Sequence, residues 1–132
     1  MQTILEQAKA LAPEIISWRH QIHMQPEVGL DLPKTVALVT EELKKMGYEP
    51  QECGGVAVLD SGKPGKTLLL RADMDALPMD EDSGEAFSSQ VAKSAHTCGH
   101  DTHTSMLLGA AKLLMDNKDN LAGGKVKFMF QP

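Results

Sequence analysis

Eight consecutive positions, His96-Thr97-Cys98-Gly99-His100-Asp101-Thr102-His103, gather three imidazoles, a thiol and a carboxylate. These are the donor types that zinc and similar divalent ions take from proteins. Cys98 and His100 are one glycine apart. Two donors that close reach one ion, or bridge two neighbouring ions, only where the backbone turns sharply, and Gly99 permits such a turn. A metal or a nearby cation would favour the Cys98 thiolate. His103 is either a further ligand or a group aimed at a substrate. Structural zinc takes about four protein ligands in well-spaced pairs. This cluster is too compact to supply them alone, so other ligands must come from elsewhere. The competing reading is a polar loop with a helix N-cap at Asp101 or Thr102, which the density of donors disfavours.

A second constellation is Arg71-Ala72-Asp73-Met74-Asp75-Ala76-Leu77-Pro78. Two carboxylates leave the end of a strongly apolar stretch, and in open α/β sheets sites form at the carboxyl ends of strands. Side chains alternate along an extended chain, so Asp73 and Asp75 share one side. Like charges that close are costly unless a cation or a proton sits between them. The alternative is a solvated strand end with Asp75 capping a turn. Arg19-His20-x-x-His23-x-x-Pro26-Glu27 sets two histidines on one helical face. No acid or thiol accompanies them at ligand spacing, so a structural role is the simpler reading. Asp80-Glu81-Asp82 reads as a solvated loop, because a calcium site needs a longer, regularly spaced set of oxygen ligands.

The elements that must position these groups follow from periodicity. Thr3 with Glu6 predicts a capping box, and Pro13 is expected to interrupt or restart the helix it opens. Ile15, Trp18 and Ile22 continue at helical spacing until Pro26. Asp31 followed by Pro33 predicts a second helix start. Val36, Val39, Leu43 and Met46 line one face of it, and Gly47 closes it. Residues 48–52 form a weak strand candidate, with Cys53 at its end, and 56–59 a better one. Ser61 to Gly65 is a turn. Thr67 to Ala72 is almost wholly apolar, which predicts a central strand covered on both faces. Residues 78–95 read as a surface excursion. A third helix is expected over about Thr102–Asn117, and a last strand carries Val126, Phe128 and Phe130. This is an α/β layered domain, a sheet with helices on both faces.

The chain has 132 residues, enough for one domain with a real core, and a net charge of −5. That balance disfavours nucleic acid and anionic membrane as general partners. No apolar run has the length of a membrane span or the form of a signal peptide, so the chain is read as soluble and cytoplasmic. Cys53 and Cys98 are its only cysteines and do not make a disulfide framework.

Taken in order, the segments Arg19 to Gly29, Arg71 to Pro78, His96 to Thr104, Met106 to Ala111 and Phe130-Gln131-Pro132 make the chain resemble the amidohydrolase branch of the dinuclear metallopeptidases. That branch holds aminoacylases, hippurate hydrolases, auxin-conjugate hydrolases and N-acetyl-diaminopimelate deacetylases. The resemblance implies a phosphorylase/hydrolase-like catalytic domain that cleaves the amide of an N-acyl amino acid with one or two divalent ions, zinc, manganese, cobalt or nickel. By the same pattern Cys98 and His100 are metal ligands, and Asp75 is the catalytic-site aspartate that orients a ligand. Asp73 stands where many relatives carry a metal-binding histidine, which leaves Asp73 and His103 as support or substrate contacts.

The family's general-base glutamate, its further ligands and its lid domain follow the Phe-Gln-Pro segment. Residues 1–132 are therefore expected to be the N-terminal part of the catalytic domain, inactive alone and weak in metal binding. Their parent is expected to form a homo-oligomer through the second domain. A non-catalytic metal-binding module of the same fold, and a dipeptidase of the same fold, are the rival readings.

Overall fold

The fold is taken from a computed structural model that describes residues 1–51 and 55–132. Readings that involve Cys53, including any pairing with Cys98, lie outside the described residues. The helix α1 (Ile4–Met24) opens on Thr3, whose hydroxyl accepts from the Glu6 N–H while the Glu6 carboxylate accepts from the Thr3 N–H at 2.7 Å. The interruption expected at Pro13 does not occur, and the helix runs through it. An interior proline costs about 3 kcal/mol and leaves the carbonyl four residues earlier without a partner. That carbonyl belongs to Lys9, on an exposed turn where water can reach it. Leu11, Trp18 and Ile22 are buried on the opposite stripe and offset the cost.

The second helix, α2 (Pro33–Lys45), starts at the expected proline, but Asp31 does not cap it. Glu27 does, accepting from the N–H groups of Lys34 and Thr35 at 2.9 and 2.8 Å and from the Thr35 hydroxyl at 2.8 Å. A carboxylate at this end also suits the helix dipole. Gly47 follows with φ +95°, the left-handed closing conformation glycine favours. Residues 48–50 are not a strand, and Gln51 makes only an isolated bridge to Val56. Tyr48 turns into the core, where its hydroxyl donates to the Ala111 carbonyl at 2.8 Å and its ring meets Phe128 edge-on.

The sheet comprises β1 (Val56–Asp60), β2 (Thr67–Asp73) and β3 (Lys125–Gln131) in the order β1-β3-β2. β3 runs antiparallel to β1 and parallel to β2. The centre is thus β3, and the central place expected for 67–72 is corrected: among the described residues β2 is an edge strand, with Leu68 and Leu69 exposed. An unbroken apolar run reports what a strand could bury, and it does not report sheet order. Ala57, Leu59, Phe128, Phe130 and Ala72 face the helices and form one core with Trp18, Leu32, Val39, Leu43, Leu107 and Leu108. The layered α/β class is as expected, and among the described residues the helical layer covers this face. Parallel β2 and β3 require a crossover, supplied by α3 (His100–Asp116), which packs on α1 and β2. No helix of the described residues is long and apolar enough to cross a membrane.

Candidate metal centre

The crossover brings the two constellations together. β2 ends at Asp73, and α3 begins at His100 directly above that strand end. Met74 is fully buried and donates its N–H to Gln131 at 2.8 Å, so the extended chain continues and Asp73 and Asp75 emerge on the same side. Gly99 makes the turn into the helix with φ +132°, as its place between two donors predicts.

Five contacts lace the start of α3 to the strand end. The His100 Nδ1 lies 2.9 Å from both the carbonyl oxygen and Oδ1 of Asp75. Its Nε2 lies 3.4 Å from Asp73 Oδ2. The His103 Nδ1 is 2.7 Å from Asp73 Oδ1, and the Thr104 hydroxyl donates to the Asp73 carbonyl at 2.9 Å. Arg71 donates to Gln131 at 2.8 Å and stands 3.4 Å from Asp73. Burial alone would raise the Asp73 carboxyl. The His103 hydrogen bond and the neighbouring imidazoles hold it below its ordinary value.

Asp73, His100 and His103 can each offer one donor atom with all three atoms within 4.8 Å of one another. Cys98, expected from sequence as a ligand beside His100, is exposed and is not among these three. Asp73, named from sequence as support, and His103, named as ligand or substrate contact, therefore join His100 at one point.

Behind this turn lies a second group, built on the Arg19–His23 stretch expected to be structural, with acidic partners that its spacing did not reveal. His23 is buried, with Nδ1 at 2.7 Å from Asp101 and Nε2 at 2.8 Å from Glu81. Arg19 also donates to Asp101 at 3.1 Å. The solvated reading of Asp80-Glu81-Asp82 is corrected for Glu81, whose side chain is only 8 % exposed. It also accepts from Ser83 and from the Ser89 N–H, both at 2.6 Å. Burial would raise its pKa, but these bonds draw it down to about 2. Burial lowers the His23 pKa, and the two carboxylates outweigh that and raise it. Phe87 covers the group, stacked on His20 at 3.9 Å with the Arg19 guanidinium 5.2 Å from its ring. His96 is buried beside it, and neither ring nitrogen has a partner among the described residues. Desolvation lowers its pKa.

Residues 69–132 match peptidase family M20/M25/M40. Over 98 % of its length the chain is 45 % identical to thermostable carboxypeptidase 2 of Saccharolobus solfataricus, and over 96 % it is 37 % identical to the N-acyl-L-amino acid amidohydrolase of Geobacillus stearothermophilus. The chain belongs to peptidase family M20/M25/M40. A family member of known structure, a dinuclear metal-binding peptidase of Bacillus subtilis, superposes on 94 % of the chain with a TM-score of 0.88 at 32 % identity, and 36 % of that structure is covered. The chain spans about a third of the length of these relatives, 35 % and 36 % of the two enzymes.

The donor set fits the divalent ion this M20 membership implies. With its Nδ1 on Asp75, His100 turns Nε2 toward a carboxylate oxygen 3.4 Å away, a place that a proton or a divalent cation can fill. Imidazole nitrogen and carboxylate oxygen suit a first-row divalent metal.

Proposed function

We propose that the protein carrying this chain is a metal-dependent amidohydrolase that cleaves the amide of N-acyl amino acids. The observation that carries this reading is His100, its Nδ1–H held by Asp75 at 2.9 Å and its Nε2 directed at Asp73. The same pairing of carboxylate and imidazole fixes the tautomer of metal-binding histidines. Cys98 and His100 are the ligands in this reading, Asp75 the residue that orients His100. Asp73 and His103 complete the near side of the site as ligands or as supports. A bound divalent ion supplies Lewis acidity and lowers the pKa of a water. The residues of this chain set where that happens. Gly99 makes the turn between Cys98 and His100, Thr104 ties the helix to the strand, and Arg71 holds Gln131 against the strand end.

A second reading is favoured by the 45 % identity to a carboxypeptidase: the same centre would cut the last peptide bond of a peptide. One panel separates the two. Purified protein containing this chain is given N-acetyl and N-benzoyl amino acids beside peptides with free carboxyl ends, with and without chelator. Chelator-sensitive release of amino acid from the N-acyl set supports the first reading. Turnover confined to peptides supports the second, and turnover insensitive to chelator and to His100→Ala removes both.

A further inference from the structure

The buried group around His23 has no place in the chemistry just described, yet it grips the residue next to His100. α3 has no side-chain cap at its N-terminus. Its first turn is held instead from two sides: Asp73 and Asp75 hold His100 and His103 in front, and Arg19 and His23 hold Asp101 behind. Successive residues of a helix point about 100° apart, so fixing the azimuth of Asp101 fixes that of His100. Asp101 is 1 % exposed, and a carboxylate this deep stays charged only with partners. Glu81 on the far nitrogen of His23 brings in the irregular segment 78–95, tied by Ser83 and Ser89. Three elements far apart in sequence thus meet on one imidazole.

We propose that His23 is a positioning residue of the metal centre: the Glu81–His23–Asp101 relay, with Arg19, sets the orientation of the first turn of α3 and hence of His100 Nε2. This rests on the reading of His100 as a ligand. His23 touches neither metal nor substrate. It acts through Asp101, and a side chain able to serve only one of the two carboxylates cannot replace it. Glutamine is such a side chain: both its N–H donors sit on one nitrogen, and its oxygen is an acceptor that cannot bond the second carboxylate.

The test uses the protein that contains this chain, with His23→Gln, and two readouts. The first needs no metal. Imidazole 15N spectra report the Nδ1–H of His100 donated to Asp75, and His23→Gln should broaden or shift that signal. The second is zinc affinity by competition with a chromophoric chelator. Outer-shell partners of metal ligands are worth about 10–100-fold in affinity, and His23→Gln should fall in that range while remaining folded by circular dichroism. Val39→Ala, a core change in α2, controls for lost stability and should leave zinc affinity within about threefold.

The proposal is overturned if His23→Gln leaves the His100 signal and the zinc affinity unchanged, or if Val39→Ala weakens zinc as much. Should His23→Gln not fold, Arg19→Gln, at a part-exposed position, carries the same two readouts, and no change in either would overturn the proposal. A protein that shows the spectral change but binds no zinc at all would sink the metal reading and leave the relay standing.

Discussion

Asp75→Asn is expected to weaken zinc binding by about fivefold without unfolding the protein. The His100 Nδ1–H lies 2.9 Å from two acceptors, the Asp75 carboxylate and the Asp75 carbonyl. Asparagine leaves the carbonyl in place, so the tautomer survives, and it exchanges a charged acceptor for a neutral one. Hydrogen bonds to charged groups contribute about 1.5–3 kcal/mol and neutral ones about 0.5–1.5. The difference, roughly 1–1.5 kcal/mol, is about tenfold in a dissociation constant. Asp75 is 35 % exposed, so water screens part of its charge and the lower end of that range applies. The assay is zinc competition against a chelator of known affinity at constant pH, with far-UV circular dichroism as the folding control. An affinity within about twofold of the parent protein would show that Asp75 does not tune His100, and the tautomer argument would fail with it.

Stability should depend on pH through the His23 group. The His23 pKa is raised above 6.5, so its contribution is complete below 6.5 and is lost as pH rises through the folded value. Glu81 is drawn from 4.5 to about 2, so its contribution is complete above 4.5 and is lost as pH falls toward 2. Urea midpoints should therefore peak between these limits, and His23→Gln should flatten the alkaline limb; an alkaline limb of unchanged slope would refute the assignment. Phe128→Ala removes a fully buried ring from the central strand and should cost about 3–5 kcal/mol in urea unfolding; a loss below about 1 kcal/mol would mean the core is not centred on β3. Gly124→Ala should destabilise strongly, because φ is +82° and an added Cβ would collide with the Lys66 carbonyl at the start of β2. A melting temperature within about 2 °C of the parent would contradict that close approach.

Local signals in the sequence were reliable where one residue decided the structure. Thr3 and Glu6 form their capping box, Pro33 opens α2, Gly47 and Gly99 adopt the left-handed angles their positions demand, and the alternation in 125–131 makes a strand. Of the donors in 96–103, His100 and His103 meet Asp73, whereas Asp101 and His96 lie with His23. What could not be read was pairing over long separations. Arg19 and His23 find Asp101 some eighty positions away, and Glu81 looked like part of a solvated acidic run because the imidazole it serves lies on another helix. Sheet order was hidden for the same reason. The apolar run in β2 speaks of its side chains, whereas the central place of β3 follows from which partners flank it. Pro13 shows the converse: a local breaker overruled by a buried stripe.

The most direct test is a crystal structure, with anomalous scattering at the zinc edge, of the zinc-loaded protein that contains this chain. An ion about 2.0–2.1 Å from His100 Nε2 and about 2.3 Å from the Cys98 sulfur, with Nδ1 of His100 still on Asp75, is the expected result. Zinc bound elsewhere, or His100 turned so that Nδ1 leaves Asp75 and Nε2 meets no metal, would contradict the account.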